Sequence, residues 1–169
     1  MGRDRDLTEA LVLGIDPGTA VTGFGVVIRR GDGVVSLVEC GVIRTSPRQP
    51  LPVRIHEIYN EIVGLIERHR PVAASVEDVF LGKNARSALT LGHARGAILL
   101  AAAHGELQIA EYSPAEIKKA VVGTGSATKD QVAFMVQRHL RLKTPPSPAD
   151  AADGVAAALC HCLVGAFRA

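Results

Sequence analysis

The sequence predicts a single-domain α/β fold, a five-stranded mixed sheet flanked by helices. Three observations carry this. Up to Arg44 the chain alternates apolar runs with glycine turns, the pattern of a three-strand antiparallel meander. Beyond it, amphipathic segments at helical spacing alternate with short apolar runs, which adds two parallel strands joined by helices. With 169 residues, 47% apolar content and mean hydropathy +0.20, the chain can bury a core without staples.

The first strand spans about 10–16, with Leu11, Val12, Leu13 and Ile15 leading to Asp16. Pro17-Gly18 turns the chain into a second strand, 22–30, and Gly31-Asp32-Gly33 turns it into a third, 34–44. Pro47, Pro50 and Pro52 break regular structure. A helix then runs from about 52 to 70, with Ile55, Ile58, Ile62, Leu65 and Ile66 on one face and Pro71 as its stop. Val72 to Val76 is a short buried strand ending in Glu77. The next helix, 84–104, closes at Gly105, a residue suited to a left-handed helix end. Its small residues Ala85, Ala88, Gly92 and Gly96 form a stripe, which by pattern alone favours a contact inside the chain.

The fifth strand is 107–112, and Ser113-Pro114-Ala115-Glu116 opens a helix with a capping box. Gly123 to Ser126 forms a loop, Thr128 starts a helix to about Leu140, and a last helix runs from Pro148 or Ala149 to Val164. Ser147, Pro148 and Asp150 then read as N-cap, N1 and N3. Residues 1–9 are expected to be a disordered charged tail, and 10–166 one domain.

Net charge is +2, unevenly spread. Between residues 118 and 149 six bases (Lys118, Lys119, Lys129, Arg138, Arg141, Lys143) face one acid, Asp130, so this segment carries +5 and the remainder −3. Such segregation suits a polyanion, although a solvated helix face accounts equally for Arg138 and Arg141. No apolar run approaches the roughly 18 residues of a membrane span. Three cysteines make no disulfide framework, which points to a reducing cytoplasm.

Four acids stand at element ends. Asp16 and Glu77 both terminate apolar strands; if those strands are parallel neighbours, both carboxylates leave at one sheet edge. Asp16 can otherwise cap its own Asp-Pro-Gly turn, and Glu77 can simply be a polar residue leaving a strand. Asp150 and Asp153, three apart, share one face of the last helix. Asp150 also suits an ordinary helix start, whereas Asp153 lies deeper among alanines and needs a partner, a metal or solvent. These donors are all oxygen, the choice of Mg²⁺ or Mn²⁺, one or two ions per subunit. Two such ions can drive in-line phosphodiester hydrolysis. Cys160-His161-Cys162 is expected to be buried packing, because consecutive helical residues diverge. Ser113 and Ser126 lack a His-Asp pair, and Gly123 to Gly125 lacks the lysine of a phosphate loop.

Four blocks, LGIDPGTAVTGFGVV, VEDVFLGKNARSALTLGHARGA, KKAVVGTGSATKDQV and ADAADGVAAALCHC, run in order over residues 11–162. Together they resemble the RuvC Holliday-junction resolvases of the ribonuclease-H-like superfamily. The resemblance implies a homodimer that binds four-way DNA junctions and nicks two strands of like polarity with a divalent metal, in recombination and repair. It also implies a branch-migration partner of the RuvA–RuvB type. It assigns the catalytic, metal-holding acids to Asp16, Glu77, Asp150 and Asp153. DNA contacts are expected from Phe80, Lys83, Arg86, Lys118, Lys119 and Lys129, and dimerisation through the helix bearing Ala85 to Gly96, against the pattern-based preference. Some members carry His at the position of Asp150. Actin-like ATPases and sugar kinases share the opening motif but need two domains, and a non-catalytic junction-binding module is a further alternative.

Overall fold

The computed structural model describes residues 9–78 and 82–167. The strands are β1 (Glu9–Asp16), β2 (Val21–Arg30), β3 (Val35–Arg44), β4 (Ala73–Glu77) and β5 (Gln108–Tyr112). The helices are α1 (Leu51–His69), α2 (Ala85–His104), α3 (Pro114–Val122), α4 (Lys129–His139) and α5 (Ala149–Val164). One sheet results, in the order β3-β2-β1-β4-β5. The first three strands pair antiparallel, and β4 and β5 join parallel to β1. The expected architecture is the one observed. The expected tail falls almost wholly outside the described residues, apart from Glu9, which opens β1 opposite Arg30.

Strand alternation sorts the core into two layers. Leu13, Ile15, Val26 and Val76 face α1 and α2, packing with Ile58, Ile62 and Ile98. Val12, Val27 and Ala73 face α5, packing with Val155 to Cys160 and with Ile117 and Val136 of α3 and α4. Even positions of β1 and odd positions of β4 therefore look toward α5, and Asp16 and Glu77 are the last members of those rows. Ile15 is in register with Val76, so the two acids leave the sheet side by side.

Helix α5 lies almost against the sheet backbone. A Cβ at Gly154 would stand 2.5 Å from Phe24 Cα, and one at Gly23 would overlap the Asp150 carbonyl. Ser75 Oγ, buried in β4, donates to Ala157 O at 2.6 Å and ties the helix to a third strand. The residues that let α5 approach are those that lower its two acids over the end of β1.

Three local expectations need correction. Pro148, not Ser147, is the N-cap of α5, so Asp150 sits at N2 and no side chain caps the helix. Gly105 ends α2 at φ −77°, and Glu106 takes the left-handed conformation instead. Glycine is required at 105 because a Cβ there would meet Ile66 of α1 at 2.9 Å. The small stripe of α2 is not packed inside the chain: Gly92 and Gly96 face open space, and Leu89 and Leu100 are 66% and 50% exposed.

Candidate active site

The acid-bearing edge of the sheet opens into a cleft of about 320 Å³, lined by Asp16, Glu77, Asp153, Lys118 and Lys129 above apolar Ile117 and Val132. Asp16, Asp150 and Asp153 each offer a carboxylate oxygen within 4.8 Å of the others. Glu77 lines the same cleft beside Asp16 and Asp153. Sequence positions 16, 77, 150 and 153 thus meet because β1 and β4 are parallel neighbours crossed at their ends by the start of α5.

Four carboxyl groups this close cannot all stay charged without compensation. Burial, reinforced by the hydrogen bond and charge of Asp16, raises Glu77 to about 9, so it keeps its proton at neutral pH. Burial also raises Asp153, opposed by the nearby positive charge of Lys129. Lys129 Nζ lies 3.3 Å from Asp153 Oδ2, on a side chain that is 81% exposed. The charge of Asp153 in turn holds Lys129 above its ordinary value. Half-buried oxygen donors with surplus negative charge are a setting that a hard divalent cation neutralises and orders.

Local sequence chemistry aims each lysine. The Ser113–Glu116 capping box starts α3, placing Lys118 one turn in; the Thr128–Gln131 box starts α4 and puts Lys129 at its first position. Lys119, next along α3, is exposed and does not line the cleft. Lys83 and Arg86 are exposed on either side of Asn84, the N-cap of α2. Phe80 lies outside the described residues. Asp78 points away from Glu77, as alternation requires, and pairs with Arg95 at 3.4 Å. Arg95 also pairs with Glu111 of β5 and so braces the strand ends beside Glu77. Sequence reasoning missed Arg95. Its only signal is an arginine on a helix face otherwise made of small and apolar residues.

Cys160, His161 and Cys162 are all buried, and burial pushes both thiols up to about 12. His161 Nδ1 meets the Tyr112 hydroxyl at 2.8 Å. His93 Nδ1 meets Leu89 O within its own helix, and His104 Nδ1 meets the Tyr59 hydroxyl. The expectation that Cys160, His161 and Cys162 are buried packing matches their placement.

Residues 12–161 match the pattern of the crossover junction endodeoxyribonuclease RuvC. The RuvC of Pelotomaculum thermopropionicum is 49% identical over 151 residues, covering 89% of this chain and 92% of that protein. The RuvC of a Roseiflexus species is 47% identical over 155 residues, covering 92% of each. The chain belongs to the RuvC family. The solved structure of Thermus thermophilus RuvC in complex with Holliday junction substrate superposes with a TM-score of 0.86 at 37% identity, covering 91% of this chain and 93% of that one. As a RuvC-family endodeoxyribonuclease, this protein is an enzyme that hydrolyses phosphodiester bonds of DNA. The family's nucleases depend on metal, and the acidic trio is the candidate cation site here.

Proposed function

We propose that this RuvC-family enzyme resolves four-way DNA junctions by cutting two strands of like polarity, using Mg²⁺ or Mn²⁺ at the acidic cleft. The observation that carries the proposal is the convergence of Asp16, Glu77, Asp150 and Asp153 with Lys118 and Lys129 around one cleft edge. All-oxygen donors without a histidine or thiol favour these hard ions over zinc.

In this reading Asp16 at the end of β1, Glu77 at the end of β4, and Asp150 and Asp153 in the first turns of α5 would together hold one or two ions. A bound ion would supply a water nucleophile at neutral pH and neutralise charge on the scissile phosphate. Glu77 must release its proton before it can act as a ligand. Lys129, paired to Asp153 at the start of α4, would meet a phosphate oxygen, and Lys118 would face the same strand from α3. Lys83, Arg86 and Lys119 hold flanking backbone. Phe80, expected to contact DNA, would stack on a base near the crossover.

Two like nicks call for two sites related by a two-fold axis, hence a homodimer. Support comes from the uncovered face of α2, where Leu89 and Gly92 are open and Gly96 and Leu100 line an apolar groove against α1. A role in recombination and repair, in the cytoplasm and beside a branch-migration complex, follows from the same family reading. None of the helices among the described residues is long and apolar enough to cross a membrane. Changing Asp16 or Asp153 to Asn should abolish cutting of a synthetic four-way junction and leave binding largely intact; full cutting by either variant would end the assignment.

A further inference from the structure

Beyond the cleft, α4 carries an unusual outer face. Phe134 is 56% exposed, and the Arg138 guanidinium lies over its ring at 5.9 Å. A guanidinium stacked on a ring is held ready rather than free to swing. Just past the helix, Arg141 adopts a left-handed conformation (φ 53°) and reverses the chain. The Gln137 amide donates to Leu142 O and Lys143 O at 3.3 and 3.0 Å, which fixes that reversal against the helix. Arg138, Arg141 and Lys143 are exposed, and none has an ion-pair partner among the described residues. Asp130, the lone acid of the segment, is one turn back from Phe134.

The same helix begins at Lys129, 3.3 Å from Asp153 in the cleft. At about 1.5 Å rise per residue, Phe134 and Arg138 lie roughly 8 and 14 Å further along its axis. A duplex advances about 3.4 Å per base pair, so for an arm lying along α4 this distance would correspond to roughly two to four base pairs. We propose that the Phe134–Arg138 pair, with Arg141 and Lys143, forms a second backbone clamp that grips a DNA arm about two to four base pairs outward from the acidic cleft. Arg138, Arg141 and Lys143 contact phosphates, and Phe134 acts as a positioning residue that holds the Arg138 plane. The clamp rests on the junction-nuclease reading and names where an arm of that substrate lies.

The test uses the full chain, a synthetic four-way junction and EDTA, so that binding is measured without cutting. Arg138→Gln should weaken binding roughly three- to tenfold and lower the salt slope by about one unit. Phe134→Ala should give a similar loss, and Phe134→Tyr should restore affinity because a ring again carries the guanidinium. Placing one neutral methylphosphonate at successive positions outward from the crossover should reveal a position that weakens wild type but not Arg138→Gln. An unchanged slope in Arg138→Gln, or the absence of any such position, overturns the clamp. If wild type still cuts junctions in that case, only the clamp falls; loss of metal-dependent cutting in wild type would instead remove the nuclease reading.

Discussion

Gly23 of β2 lies directly beneath the Asp150 carbonyl, so close that any side chain at 23 would occupy the place of that oxygen. Asp16 is the register partner of Gly23 across β1 and β2. One backbone position therefore sets the height of the first turn of α5 over the acid that ends β1. Gly23→Ala should push that turn away and destabilise the fold by about 1–3 kcal/mol. Thermal unfolding and Mn²⁺ titration check this: a lower midpoint with weaker metal binding is expected, and an unchanged metal affinity would detach Asp150 from the site.

Glu77 gives a pH prediction. Its folded value of about 9 lies above the ordinary 4.5, so the folded metal-free protein binds more protons than the unfolded chain between those values. Stability then falls as pH rises through that window. Glu77→Gln should flatten the decline measured by denaturant unfolding in EDTA, and saturating Mg²⁺ should oppose it in wild type. An equal decline in both proteins would mean that Glu77 is ionised in the folded state.

Lys129 competes with a cation for Asp153. Replacing it by Met should tighten Mn²⁺ binding by about two- to fivefold, the modest gain an exposed pair allows, while slowing cutting. Isothermal titration reads the first effect and single-turnover cleavage the second. Weaker metal binding in Lys129→Met would show that the lysine supports the acids rather than opposing a ligand.

On α2, Gly96→Glu places a charge where an added Cβ meets nothing within 4 Å among the described residues. The fold should survive, as circular dichroism would show, while sedimentation should shift to a monomer and paired nicking should be lost. A dimer that persists unchanged would place the interface elsewhere.

Much of this was legible in the residues. Period-two alternation carried the faces of β1 and β4, and the convergence of Asp16 and Glu77 followed on the condition, met by the structure, that the two strands are parallel neighbours. Asp153 stood out for its apolar surroundings. Asp150 was ambiguous for a physical reason: an acid in the first helical turn suits the helix dipole and a metal equally, and only its 4.8 Å proximity to Asp16 and Asp153 separates the two. The stripe on α2 could not be resolved from spacing, since a glycine row permits close approach without saying to what. Gly105 misled because its reason is Ile66, a residue on another helix. Arg95 and the underside of Asp150 at Gly23 were invisible because each depends on strand order.

The central claim is that acids from β1, β4 and α5 form one cation-dependent hydrolytic centre. Its most direct measurement is cleavage of a synthetic four-way junction and a linear duplex of the same sequence by wild type and Asp16→Asn, with Mg²⁺ and with EDTA. The account predicts paired nicks only for wild type on the junction with Mg²⁺, and intact junction binding by Asp16→Asn. Cutting that persists in Asp16→Asn, or in EDTA, would contradict it.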